Sequence, residues 1–229
     1  MNNEQATQVF RNYIKGKRVI FVGPAANLMN RGLGSLIDSY DVVVRTNGSK
    51  VLDRSLWKDY GCRTHICYFN VQHLREEHPF PIEDMKAHRI DHLVFKGVSK
   101  GIRDYYETYF NVRDVAPLIQ ELHRKIDGLL MGPILITDLL ESKPSELFVT
   151  GIDCYITKPD AFIPDDYREY YPKYLGNKIE TKANVANIGR IDPHLKKKDN
   201  TIYIKQLIDS KQITTHDFVL ESIKKALMR

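Results

Sequence analysis

Five short runs of apolar, largely β-branched residues punctuate this chain, with helical segments between them. VIFVG occupies 19–23, DVVVRTN 41–47, RTHICYFN 63–70, HLVFKGV 92–98 and ELFVTGID 146–153. None alternates strictly between apolar and polar residues. A strand with one wet face would carry a polar residue at every second position, so these runs suit parallel strands covered on both faces. LDRSLWKDYG (52–61) has apolar residues at helical spacing and a glycine stop. ILITDLLESK (134–143) is an apolar-faced helix with Pro133 suited to its first turn. VQHLREEHPF and the stretch before Ile90 are amphipathic and interrupted by Pro79 and Pro81. Two amphipathic helices, about 196–210 and 216–228, close the chain. This alternation predicts an α/β fold, a Rossmann-like, doubly wound and mostly parallel sheet.

The region 157–193 breaks the pattern. It contains KPDAFIPDDYREYYPKYLGNK, rich in Pro, Asp and Tyr and without a period. Loops of this length are uncommon unless functional or disordered, and its aromatic content favours a folded lid or acceptor loop. No internal repeat or linker divides the sequence, so residues 1–229 read as a single domain.

A hydrophobic fraction of 42% is enough for a full core in 229 residues. The net charge of +5 suits a small anionic ligand and is too small to argue for nucleic acid, the lysines being scattered. Cys62, Cys67 and Cys154 fit neither a disulfide framework nor a zinc site, so they read as reduced thiols in the cytoplasm or another reducing compartment. The N-terminal MNNEQATQVFRNYIKGKR lacks the apolar core of a signal peptide, and no run reaches the ~18 apolar residues of a spanning segment. A membrane anchor outside this sequence is compatible with that reading.

Four stretches could carry chemistry. In VGPAANL the first strand breaks into a turn at Gly23, at the sheet edge where ligands of such folds bind. Asn27 there, and Asn47 after the second strand, offer neutral amides to a phosphate or sugar, although asparagine in turns commonly serves the turn alone. In LMGPILITDLL a helix begins near Gly132, where free N–H groups can meet an anion. The strand after it ends in TGIDCY, placing Asp153 and Tyr155 at the same edge, where a tyrosine hydroxyl can donate to a leaving phosphate. In THDFVLESIKK, His216 stands at or before a helix start, with Glu221 five residues on. His194, in IDPHLKKKDN, precedes the other closing helix, and either histidine suits base catalysis near neutral pH.

Together and in this order, these stretches resemble the sialyltransferases. VIFVGPAANLMNRGLGSLIDSYDVVVRTN is similar to the large motif of glycosyltransferase family 29, and MGPILITDLLESKPSELFVTGID to its small motif. HDFVLE resembles the family's H-x4-E, and TGIDCY also resembles a strand end of the bacterial family 42. The resemblance covers about 17–155 and 190–229. It implies a GT-A-variant sheet, a CMP-sugar donor, a glycan acceptor and an inverting, single-displacement transfer without an essential metal or other cofactor. His216 is then the general base, with His194 the competing assignment, and Tyr155 donates to the departing phosphate. Gly23, Asn27, Asn47, Asn70, Gly132 and Asp153 form the nucleotide side. The donor is a sugar acid, sialic acid foremost, with Kdo as the alternative; a non-catalytic nucleotide- or glycan-binding module of the same fold is the other reading.

Three features depart from the family pattern. Pro24 replaces the turn asparagine, and Met131 stands where Ser or Thr is usual. The family's disulfide is missing at both ends, near Val19 and near Glu141 or Ser142. A methyltransferase of related fold would require an acidic residue closing the second strand, where Asn47 stands.

Overall fold

The computed structural model describes residues 1–46, 54–70, 82–97, 100–152, 154 and 197–228. Among these, one parallel sheet contains β1 (Arg18–Val22), β2 (Val42–Thr46), β3 (Ile66–Asn70), β4 (His92–Lys96), β5 (Asn111–Asp114), β6 (Glu146–Thr150) and β7 (Thr214–Thr215). The order across it is β5-β4-β3-β2-β1-β6-β7. The chain winds outward from β1 to β5, then returns to the other side of β1. The winding therefore reverses between β1 and β6, and ligands of open α/β sheets bind at the carboxyl edge beside such a reversal. This is the Rossmann-like, doubly wound sheet expected from the sequence, here parallel throughout.

The strands are apolar on both faces because both faces are covered. Val19 and Phe21 of β1 join one apolar cluster, and Ile20 and Val22 join another on the opposite side. The first cluster includes Phe10 and Ile14 of α1 (Asn3–Ile14), Leu122 of α6 (Ala116–Leu122) and Ile134, Leu135, Ile136 and Leu139 of α7 (Met131–Glu141). It is completed by Ile204 and Leu207 of α8 (Lys197–Asp209) and Val219 and Ile223 of α9 (Asp217–Leu227). The opposite face packs Ile37 of α2 (Gly34–Asp38) and Tyr60 of α3 (Trp57–Tyr60) under β1 and β2. Met85 of α4 (Ile82–Ala87) and Tyr106 of α5 (Lys100–Glu107) lie under β3, β4 and β5.

Several elements differ from the sequence reading. α7 starts at Met131, ahead of Pro133, so proline occupies the first turn, where its missing N–H costs no helix bond. The segment expected as one helix over 52–61 is a 3-10 turn, Arg54–Leu56, followed by the single turn of α3. α1 was not foreseen. It carries a reciprocal capping box, Asn2 with Gln5, and buries Ala6, Phe10 and Ile14 at successive four-residue steps. Its Asn3 side chain accepts from the Asp114 N–H at 2.7 Å and donates to the Asp114 carbonyl at 3.0 Å, covering the β5 edge.

Two polar clusters hold the sheet. Arg113 of β5 forms a buried ion pair with Asp138 of α7 at 2.8 and 2.9 Å, and the Tyr68 hydroxyl donates to the same carboxylate at 2.5 Å. Buried Arg45 of β2 donates to the Tyr60 carbonyl at 2.6 Å and to Thr64 Oγ1 at 3.0 Å. Burial pulls its pKa down to about 10, so the guanidinium remains charged at neutral pH against the C-terminal carbonyl of α3. At the amino edge, His65 and His92 are buried, at 8% and 2% exposure, and burial pushes both pKa values down to about 4. The Arg63 charge adds to the depression at His65.

Candidate functional site

Where the winding reverses, the chains leaving β1 and β6 are bonded to each other. The Gly23 N–H donates to the Thr150 carbonyl and the Ala25 N–H to the Gly151 carbonyl, both at 2.8 Å. The two glycines lie so close that a Cβ on Gly23 would run into the Gly151 carbonyl oxygen. A Cβ on Gly151 would come within 2.5 Å of the Gly23 carbonyl oxygen, and Gly151 also has φ +65°. These glycines thus serve a backbone crossing, a different use from the phosphate-cradling glycines of a dinucleotide fold.

Asn27 lies in a 3-10 turn, Ala26–Leu28, directly after the crossing. Its Nδ2 donates to the Ile152 carbonyl at 2.8 Å, which ties the β1 exit to the β6 exit. Its Oδ1 is buried without a hydrogen-bond partner among the described residues. The amide read from sequence as a ligand donor is therefore engaged within the protein through at least one of its hydrogens. The Tyr60 hydroxyl braces the same turn by donating to the Ala25 carbonyl at 2.8 Å.

His216 arrives from the opposite end of the sequence. β7 pairs with β6 so that Thr214 lies against Phe148 and Thr215 against Val149. The next residue, His216, falls beside Thr150, and its Nδ1 is 3.0 Å from Thr150 Oγ1. It is the N-cap residue of α9, in extended backbone conformation, and its side chain does not cap the helix. The imidazole lies edge-on to Phe148, with centroids 4.7 Å apart, and flat against Phe218 at 4.9 Å and 15°. Burial lowers its pKa, the Arg31 charge lowers it further, and Asp217 opposes them. The neutral ring, the form a base requires, is thereby favoured. Glu221, the second residue of the H-x4-E resemblance, is exposed on α9.

Gly23, Asn27 and His216 are thus gathered at the β1–β6 edge. Gly132 lies in the first turn of α7, toward the end of β4, where Lys96 Nζ donates to the Leu129 carbonyl at 3.2 Å. Among the described residues a Cβ on Gly132 would meet nothing within 4 Å, so no crowding from them requires glycine there. Asn70 ends β3, two strands from β1. Asn47, Asp153, Tyr155, His194 and the 157–193 segment lie outside the described residues.

Residues 7–99 match the family model of glycosyltransferase family 29, the sialyltransferases. The match runs from α1 to just beyond β4 and contains the crossing turn, Asn27 and Arg45. Over that stretch it agrees with the resemblance carried by the first motif. Similar solved structures include a mammalian sialyltransferase in complex with Gal-beta-1-3GalNAc-ortho-nitrophenol, at 15% identity and TM-score 0.47, covering 73% of this chain and 68% of that one. Another mammalian sialyltransferase matches at 15% identity and TM-score 0.45, with 77% and 76% covered. No curated protein matches. Among the described residues no helix is long and apolar enough to cross a membrane.

Sequence reasoning did not single out three contributors to this site. Thr150 orients His216, yet it was read only as part of a strand end. Arg31 places its guanidinium carbon 3.9 Å from the Phe218 centroid. Asp59 accepts from the N–H groups of Asn30 at 2.9 Å and Gly32 at 2.7 Å, fixing the turn that bears Arg31. The local signal was Asn30 and Gly32 bracketing an arginine, since both adopt positive φ, 61° and 65°.

Proposed function

We propose that this protein is an inverting glycosyltransferase. It moves a sugar acid, sialic acid foremost, from a CMP-sugar to a hydroxyl group of a glycan acceptor. The observation that carries the reading is His216: an imidazole held through Nδ1 by Thr150, its pKa lowered first by burial, at the edge where the winding reverses between β1 and β6. With Nδ1 engaged, Nε2 is the nitrogen available to a substrate. It takes the proton from the acceptor hydroxyl as that oxygen bonds the anomeric carbon. The anomeric carbon's bond to the phosphate oxygen breaks, and CMP leaves with the electron pair. CMP is a fair leaving group, so positioning and hydrogen bonding to its phosphate suffice, without an essential metal. By the sialyltransferase resemblance, Asn47 contacts the donor's phosphate or ribose and Tyr155 donates to the departing phosphate. A reducing compartment suits the thiols of Cys62, Cys67 and Cys154, which form no disulfide among the described residues.

The test is CMP release from CMP-sialic acid and from CMP-Kdo, with and without a chelator, in the wild type, His216→Ala and His194→Ala. A loss of about a hundredfold or more in His216→Ala, with chelator-insensitive wild-type turnover, supports the assignment. Full activity in His216→Ala moves the base to His194. Absence of both CMP release and calorimetric CMP binding refutes the proposal, whereas binding without turnover marks a non-catalytic module.

A further inference from the structure

We propose that Arg31 is a positioning residue for His216, acting through Phe218: the guanidinium holds the phenyl ring flat against the imidazole and so keeps Nε2 turned to the carboxyl edge. This inference rests on His216 being the base. An exposed arginine ordinarily samples many rotamers, but Arg31 is restrained along its length. Its backbone neighbours Asn30 and Gly32 are anchored on Asp59, and its Nε donates to the Asn27 carbonyl at 2.6 Å. Its guanidinium lies over Phe218, and the Phe218 ring in turn lies flat against the His216 imidazole. Guanidinium and imidazole thus share one phenyl ring as neighbour, and Phe148 meets the imidazole edge-on. A cation–π contact of this kind favours one ring orientation over the others.

The same arrangement brings a permanent positive charge near the imidazole. The guanidinium carbon is 3.9 Å and the imidazole centroid 4.9 Å from the Phe218 centroid, which bounds their separation at about 9 Å. At such a distance the positive charge lowers the pKa of the half-buried imidazole. The charged groups facing His216 among the described residues are Arg31, from the turn after β1, and Asp217, from α9. β6 presents Thr150 and Phe148, neither of which titrates.

The experiment compares Arg31→Gln, Arg31→Lys and Phe218→Leu by NMR titration of the His216 ring and by the pH dependence of CMP release. Arg31→Gln is expected to move both the His216 midpoint and the acid limb of kcat upward, in step with each other. It should also lower kcat three- to tenfold, roughly, with little change in the donor KM. Arg31→Lys, which keeps the charge, should return the midpoint toward the wild-type value. Phe218→Leu should lower kcat while leaving circular dichroism unchanged. A His216 midpoint unmoved in Arg31→Gln overturns the inference, as does a defect confined to the donor KM. If the wild type turns over no donor, the proposed function fails, and the coupling is judged on the NMR titration, where movement sustains it and no movement refutes it.

Discussion

Acid should unfold this protein through two histidines remote from the carboxyl edge of the sheet. His92 opens β4 and packs edge-on against Phe10 at 5.6 Å, and His65 precedes β3 and accepts the Val43 N–H on Nδ1 at 2.9 Å. Burial depresses both from the ordinary 6.5 to about 4, and protonation of His65 at Nδ1 would also remove the acceptor of a β2 amide. The unfolded chain binds protons at these sites below about pH 6.5, whereas the folded chain binds them only near pH 4. Between those values the unfolded state holds more protons, so stability falls as pH falls. Below about pH 4 both states are protonated and the loss levels off. Each histidine then removes roughly 2.5 kcal/mol between pH 7 and 4.5. Together they approach the total stability of a modest domain, about 5–15 kcal/mol. Carboxylates titrate in the same region, so the assay is a comparison: urea unfolding of the wild type and His92→Phe at pH 7 and at pH 4.5. Phenylalanine keeps an aromatic ring against Phe10 and has no titrating nitrogen. The variant should lose about 2.5 kcal/mol less than the wild type across that interval. Parallel pH profiles, or an NMR midpoint for His92 near 6.5, would refute the argument.

Two further outcomes test the frame of the site. Asp138→Asn leaves the Arg113 guanidinium buried against a neutral partner and should cost about 3–5 kcal/mol in denaturant unfolding, whereas Arg113→Met with Asp138→Leu should cost markedly less. Gly151→Ala forces a Cβ toward the Gly23 carbonyl oxygen at positive φ. It should lower the melting temperature by several degrees and abolish CMP release, while Gly132→Ala, whose added Cβ meets nothing within 4 Å among the described residues, should fold with wild-type stability.

How much of this was legible in the sequence depends on how far away each residue's partner lies. VIFV, VVVRT and ELFVT announce themselves because a strand covered on both faces is apolar at nearly every position, and that is a property of the run itself. Pro133 ahead of an apolar-faced run marked α7, and the closing helices followed from periodicity, both signals within a few residues. β5 could not be read this way. NVRD looks like a charged loop, and Arg113 is buried only because Asp138 of α7 meets it there. β7 has two residues, too few for any period, and exists because β6 offers it an edge.

The site divides along the same line. The sequence by itself determined that a strand turn, an R-x-N element, a strand end in TGID and an H-x4-E segment occur in an order resembling sialyltransferases. It also supplied the residue types suited to base and amide chemistry. Tertiary structure alone decided what those residues do. The sheet order brings Gly23 against Gly151 and His216 against Thr150, and it engages the Asn27 amide with the Ile152 carbonyl. It also places Arg31 on the ring that supports His216. Hydrogen bonding and ring stacking act over a few ångströms of space, whereas composition and periodicity act along the chain. Residues 66 positions apart become partners only when the sheet aligns their strands.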